Sequence, residues 1–451
     1  MQKDVRSVAS CDVPGKQTEE QFFESYKKRF FSAVKWNTFE SFCYQFIFVI
    51  HQIGLFTYCD RALYGKMGAL FSTCYVIVTL LVSGFDGGLL PFFKEFILNK
   101  QSFRVFLFKY VGLQFVGMTV GAYALLLFFF LTRLSVHNSF VIGFLLTTFI
   151  VSEGIKKILK QLLYLSFCNR QTAVYEVFQM IAYVLTVWGC YWSGYAFSIE
   201  LFLIPFIVYS LSFSFFCLIT LFYYYQSLPL QFSFPTFPSV RTFFVIRFSV
   251  LVNQMSRVLF SSNFLIPLFA LHGGFQEAGV LTFANYLTHA CISLFQKSTL
   301  APTEALFSRV KQFSLVVHYR ALLLVLSLFS FFATIIGLFV FFNGRTCAEK
   351  FGCKSLDHLT WTVMIFFFFI HLLESMFALY EKFFLMQERV KLLAFGNVFT
   401  CLICYLLFLY KLPFFILIIS CIFIRFSFFL LLSFIIYNLK VAPKAIIQSK
   451  K

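Results

Sequence analysis

Residues 41–94 read SFCYQFIFVIHQIGLFTYCDRALYGKMGALFSTCYVIVTLLVSGFDGGLLPFFK. An apolar run is interrupted by the polar hinge Asp60-Arg61-Ala62-Leu63-Tyr64-Gly65-Lys66. A second run then closes on Asp86-Gly87-Gly88 and Pro91. Neither run alternates with the period of two that a barrel strand shows, and each is long enough to cross a hydrocarbon core of about 30 Å. Lipid offers no partners to backbone N–H and C=O groups, so such runs must be helices. The stretch is a helical hairpin built for a bilayer.

The pattern extends outward along the whole chain. Apolar residues make up 60% of the sequence and charged ones 12%, against roughly 45–50% and about 25% in soluble domains. The fold class expected is an all-α polytopic membrane protein of about twelve transmembrane helices. They are placed near 37–57, 67–93, 105–131, 139–165, 172–192, 198–224, 242–270, 278–300, 315–342, 358–385, 390–410 and 413–438. Residues 1–35 are expected to be a cytoplasmic tail leading into an interfacial helix, with Tyr26-Lys27-Lys28-Arg29 as its anchor and no cleavable signal.

Lysine and arginine concentrate in the tails and even-numbered loops by roughly four to one, which puts both termini in the cytoplasm. The connection 226–241 carries Pro229, Pro235 and Pro238 and falls at the midpoint. It divides the chain into a six-helix lobe at 36–225 and a second at 242–438, with a tail at 439–451. The second lobe repeats the opening hairpin from Arg247 to Glu304. Aligning Gly65 with Gly279 brings Pro91 close to Pro302, each followed by an acidic residue, Glu95 or Glu304. Because six is even, the lobes are parallel repeats about an axis along the membrane normal, a plan that places substrate between them.

Several functions are excluded or disfavoured. The net charge of +18 is scattered over short loops and forms no nucleic-acid patch, so lipid headgroups are the expected partner. The 71 phenylalanines fall on all faces of the helices, as a bias in apolar residue choice would place them. The 13 cysteines show no metal spacing, and only Cys347 and Cys353 share a loop where they would pair in an oxidising compartment. No phosphate-binding glycine loop is present, so direct ATP coupling is excluded. No cofactor or metal is expected; an H+ or Na+ gradient would drive transport.

Ala62-Leu63-Tyr64-Gly65-Lys66-Met67-Gly68, the helix ending Gly84-Phe85-Asp86-Gly87-Gly88-Leu89, and Glu277-Ala278-Gly279-Val280-Leu281-Thr282-Phe283-Ala284 together carry a resemblance. Ala301-Pro302 and Leu306-Phe307-Ser308-Arg309 extend it. The chain resembles polysaccharide flippases of the multidrug/oligosaccharidyl-lipid/polysaccharide exporter superfamily. That resemblance implies a V-shaped pair of lobes opening alternately to each side of the cell membrane. Its implied substrate is an undecaprenyl-diphosphate-linked glycan, an O-antigen, capsule or teichuronic-type repeat unit, handed on by glycan-assembly partners. The lipid II flippase's thirteenth and fourteenth helices are missing. Two alternatives stand beside it: a cation-coupled multidrug extruder of the same superfamily, and a membrane polysaccharide polymerase or ligase. The enzyme reading is weaker because the longest outside loop, Asn343 to His358, is short and holds no acid–base constellation.

Ionisable residues at mid-bilayer cost roughly 2.5–3.5 kcal/mol each on insertion scales and therefore usually face a cavity. Arg247, Gln254 and Arg257 share a stripe on helix seven, as do Asn285, His289 and Gln296 on helix eight. Helix one supplies Gln45 and Gln52, with Glu40 and His51 nearby, and Asp86 closes helix two. Arg257 would contact a diphosphate or pair internally with Asp86 or Glu374. His371 and Glu374 on helix ten are the candidates for ion coupling. Lys156, Lys157 and Lys160 read as anchors for anionic lipid at the cytoplasmic surface.

Overall fold

The computed structural model describes residues 19–86, 111–132, 138–166 and 168–225, the segments 274–276, 278–290, 292–293 and 367–372, and isolated positions between 248 and 431. Six helices are defined: α1 (Glu19–Tyr58), α2 (Arg61–Asp86), α3 (Leu113–Thr132), α4 (Asn138–Leu165), α5 (Asn169–Trp192) and α6 (Ile199–Tyr225). The proline-rich linker, the Cys347–Cys353 loop and both ends of the chain lie outside the described residues. Four stretches are long and apolar enough to cross a membrane: Phe31–Tyr58, Arg61–Val82, Asn169–Trp192 and Ile199–Tyr224.

The largest departure from expectation is α1. Its 40 residues run unbroken from Glu19, so the helix over 19–35, expected as an interfacial segment apart from the first span, is continuous with that span. The last breaker is Pro14-Gly15, and no glycine or proline follows until Gly54, so nothing interrupts helical hydrogen bonding. At 1.5 Å per residue α1 is about 60 Å long, roughly twice the hydrocarbon thickness.

The expected seven-residue hinge is also shorter than predicted. Only Cys59 and Asp60 leave the helix, and Arg61 already begins α2. Asp60 acts as the N-cap: its Oδ2 accepts the Leu63 backbone N–H at 3.0 Å, satisfying a donor the first turn would otherwise leave open. The Arg61 guanidinium closes over the Phe56 ring at 5.6 Å and ties the two helix ends together.

In lipid the helical wheel turns inside out. Phe42, Phe46 and Ile50 on α1, Val174, Phe178, Ile181 and Leu185 on α5, and Ile204, Val208, Leu211, Phe215 and Ile219 on α6 form exposed apolar stripes at spacings of three and four. The opposite faces carry polar residues inward: Asn37, Glu40, Gln45, His51 and Gln52 on α1, and Thr172, Glu176 and Gln179 on α5 are all buried. Lipid removes the penalty for outward-facing phenylalanine, so part of the phenylalanine excess covers this surface.

Helix α4 is the hub of the six defined helices and packs on α2, α3, α5 and α6, while α1 packs on α5. Phe149 of α4 is fully buried, with ring centroids 5.3 Å from Phe71, 5.7 Å from Tyr75 and 5.2 Å from Phe206. Gln114 of α3 donates its Nε2–H to the Leu81 carbonyl at 2.8 Å, one of the side-chain hydrogen bonds that helices in lipid use as glue.

The two halves of the chain meet where the sequence repeats. Rings of α1 interleave with those of the helical segment 278–290: Phe56 stacks on Phe283 at 4.4 Å, and Phe48 meets Tyr286 edge-on at 5.3 Å. Gly274 opens the region around that segment in the left-handed conformation, φ 93°, and its carbonyl accepts the Ala278 N–H at 3.2 Å.

Candidate functional site

Charged side chains inside the first lobe form the densest polar cluster among the described residues. Glu153, Lys156 and Lys160 follow one another on α4 at spacings of three and four, which places them on one face. Glu40 of α1 and Glu176 of α5 approach that face from two sides. Lys160 Nζ lies 3.1 Å from Glu40 Oε1 and is also ion-paired with Glu176. The Tyr164 hydroxyl donates to Glu40 at 3.2 Å, and Lys160 sits over the Tyr164 ring at 5.3 Å. Just beside this pair, Asn169 Nδ2 donates to Asn37 Oδ1 at 2.8 Å.

One turn earlier on α4 a second group extends the cluster toward α6. Glu153 Oε1 accepts the Ser210 hydroxyl at 2.5 Å and the Lys156 ammonium at 3.4 Å. Gln179 Nε2 donates to Ser210 Oγ at 3.5 Å, whereas its own Oε1 is buried without a hydrogen-bond partner among the described residues. Lys156 lies between the faces of Phe206 and Phe213, at 5.6 and 5.5 Å. A cavity with room for about one water opens among Tyr44, Lys156, Gln179, Tyr183 and Tyr209. Glu153, Lys156 and Ser210 are 8%, 7% and 0% exposed. The group is therefore a buried carboxylate held by one ammonium and one hydroxyl, and the ammonium borders a space that admits water.

These contacts correct the sequence reading of the α4 lysines. Lys156 and Lys160 turn to carboxylates, not outward to headgroups, because their ammonium groups find three glutamates there; Lys157 is half-buried. The spacing that joins Glu153 to Lys160 was readable in the sequence. Their partners were not, since Glu40 and Lys160 are 120 residues apart.

Further along α1, the Trp188 indole N–H donates to His51 Nδ1 at 3.0 Å, which leaves the proton of a neutral imidazole on Nε2. That nitrogen is buried with no hydrogen-bond partner among the described residues, and the Tyr183 ring stands edge-on to the imidazole at 5.4 Å. Trp188 fits because Gly54 has no side chain: a Cβ there would lie 2.6 Å from its ring.

The candidate residues named from the sequence divide into three groups. Gln45 and Gln52 are both buried on α1; Gln52 Oε1 accepts the Tyr64 hydroxyl at 2.8 Å, while Gln45 Oε1 has no hydrogen-bond partner among the described residues. Asn285, His289 and His371 are brought together: His371 Nε2 is 2.8 Å from Asn285 Oδ1, and the two imidazole rings are 5.0 Å apart. Asn285 and His371 are buried and His289 is exposed, and these contacts join the segments 278–290 and 367–372. Arg247, Gln254, Arg257, Gln296 and Glu374, and the side chain of Asp86, lie outside the described residues.

No family model matches this sequence, and no curated protein matches it. Solved structures do match. The chain superposes on an outward-facing conformation of a multidrug resistance MATE family transporter of the MOP superfamily with a TM-score of 0.67 at 13% identity, covering 92% of this chain and 97% of that one. A mutant of the Vibrio cholerae MATE transporter VcmN gives 0.60 at 12% identity, over 94% and 98%. A MOP superfamily transporter from Pyrococcus furiosus, for which a reversed polarity of the binding pocket was taken to suggest a different function, gives 0.64 at 12% identity, over 92% and 97%.

Proposed function

We propose that this chain, which shares the fold of MATE transporters over nearly its whole length, is a multi-pass membrane exporter that works by alternating access and is driven by a cation gradient. The observation that carries the coupling is the Glu153–Lys156–Ser210 group. A proton arriving at Glu153 through the adjacent cavity would cancel its charge and leave the Lys156 ammonium without its carboxylate in a lipid-enclosed lobe. Removing one partner from a buried pair costs about 3–5 kcal/mol. A shift of about 5.5 kcal/mol turns a two-state equilibrium from 1:99 to 99:1, so this single protonation supplies much of what a conformational change needs. The affected contacts join α4 to α5 and α6, the helices the lobe would have to repack.

The substrate proposed is a small amphipathic organic compound. Its support is the aromatic seam of Phe48, Phe56, Phe283 and Tyr286 between the two halves, a row of ring faces with the Arg61 guanidinium at one end over Phe56. Both termini are assigned to the cytoplasm of the cell membrane on the lysine and arginine distribution. A lipid-linked oligosaccharide flippase is the second reading, and it rests on the sequence stripe Arg247, Gln254 and Arg257, whose guanidinium groups suit a diphosphate. The membrane-enzyme alternative is set aside, because the structures matched above are described as transporters.

Proteoliposomes decide between the two substrates. The protein is reconstituted and offered a fluorescent amphipathic cation and, separately, a fluorescent undecaprenyl-diphosphate glycan. Dye flux that responds to an imposed pH or sodium gradient supports the exporter. Glycan translocation above that of empty vesicles, without dye flux, overturns it in favour of the flippase.

A further inference from the structure

The two halves touch most closely at the glycines that the sequence repeat equates. A Cβ at Gly65 would lie 2.7 Å from the Gly279 nitrogen and closer still to the Phe275 carbonyl oxygen. A Cβ at Gly279 would lie 2.8 Å from the Arg61 carbonyl oxygen and 3.5 Å from the Gly65 nitrogen. One turn on, a Cβ at Gly68 would lie 2.8 Å from the Thr282 Cβ. The pairs 61/275, 65/279 and 68/282 share one sequence offset, so each helix approaches the other with the same residues. That reciprocity is what a two-fold axis imposes on a self-complementary contact. It also means that the axis relating the halves passes through the Gly65–Gly279 crossing.

The crossing lies at the end of the bundle that carries the Cys59–Asp60 turn, where α1 rings meet the segment 278–290. Backbones this close exclude water and any substrate between them. We infer that the crossing of α2 with the segment 278–290 at Gly65 and Gly279 is a gate that seals the cleft between the halves at this end, and that it closes only because neither position carries a side chain. The inference rests on the alternating-access reading: in the other state of the cycle these backbones must part. A methyl group on either glycine then acts as a wedge that holds the gate open, although alanine is otherwise the better helix former by up to about 1 kcal/mol.

The test measures gate width directly. Spin labels are placed at Tyr58 and Phe275, both exposed residues on the two sides of the crossing, in a full-length variant whose native cysteines are replaced. Pulsed dipolar spectroscopy then compares the parent, Gly65→Ala, Gly279→Ala and a control, Gly189→Ala, where an added Cβ meets nothing within 4 Å. The parent and Gly189→Ala are expected to show a short-distance population; each gate variant loses it in favour of longer distances and carries at least tenfold less substrate. A swap keeps the result independent of misfolding. Gly68→Ala alone should also open the gate, and adding Thr282→Gly, which removes the opposing side chain, should restore the short distance. Unchanged distances in Gly65→Ala and Gly279→Ala, or failure of the swap to restore closure, overturn the gate. Because distance is read without substrate, a chain that closes as described yet carries no dye contradicts the exporter reading and leaves the gate standing.

Discussion

Replacing Glu153 by Gln isolates the interaction on which the coupling rests. The substitution keeps the shape and an acceptor oxygen for the Ser210 hydroxyl, but it removes the charge opposite Lys156, whose side chain is only 9% exposed. Losing one partner of a buried pair costs about 3–5 kcal/mol. The faces of Phe206 and Phe213 offset about 0.5–2 kcal/mol of that through their cation–π contacts. A net loss of about 1–4.5 kcal/mol follows, equivalent to a roughly 5- to 2,000-fold change in an equilibrium constant. The double variant Glu153→Gln/Lys156→Met carries no stranded charge and should return to within about 1 kcal/mol of the parent. Unfolding in mixed detergent and dodecyl sulfate micelles, followed by tryptophan fluorescence, measures all four corners of the cycle. Two results would refute the reasoning: Glu153→Gln as stable as the parent, or a double variant no more stable than the single one.

Further outcomes follow from other contacts. Tyr64→Phe leaves the buried Gln52 Oε1 without its donor and should cost about 1–3 kcal/mol in the same unfolding assay, with Gln52→Leu/Tyr64→Phe recovering most of it; no recovery would mean that the hydrogen bond is not the source of the loss. Trp188→Phe keeps a ring against Gly54 but removes the donor to His51 Nδ1, and a loss of about 1 kcal/mol is expected, read against Trp192→Phe as an exposed control. At the turn between α1 and α2, burial and then the neighbouring Asp60 charge push the Cys59 thiol from 9.0 up to about 11. The reactive thiolate therefore stays scarce until well above neutral pH, at about one-hundredth of its unperturbed amount at pH 8. Maleimide labelling of Cys59, followed by peptide mass spectrometry, should keep rising through pH 10; a plateau near pH 9 would contradict this.

The span positions were largely legible because lipid makes hydropathy and length sufficient: α4, α5 and α6 begin within about three residues of their predicted starts. The length of α1 was not, because charge in residues 19–35 points to an interfacial helix apart from the first span although no residue there breaks a helix. The short turn at Cys59–Asp60 was hidden for a related reason. Gly65 suggests a hinge by propensity, whereas here it serves a backbone crossing that only the distant Gly279 explains. The alignment of those two glycines was nevertheless visible in the repeat. Helical spacing put Asn285 and His289 on one predicted helix and His371 on another, while the contact of His371 with Asn285 across 86 residues needed the fold. The inward lysines were the main loss. A lysine near a helix end reads as a lipid anchor unless its carboxylates are known, and Glu40 and Glu176 lie on other helices.

The central claim is that this chain exchanges a cation for an organic substrate through the first lobe. The most direct measurement records proton movement and dye movement together in proteoliposomes, for the parent chain and for Glu153→Gln at matched protein density. The account predicts that protons and dye move in opposite directions in the parent, in a fixed ratio, and that Glu153→Gln abolishes the proton dependence of dye flux. Dye flux through Glu153→Gln that still follows the pH gradient as the parent's does would contradict it.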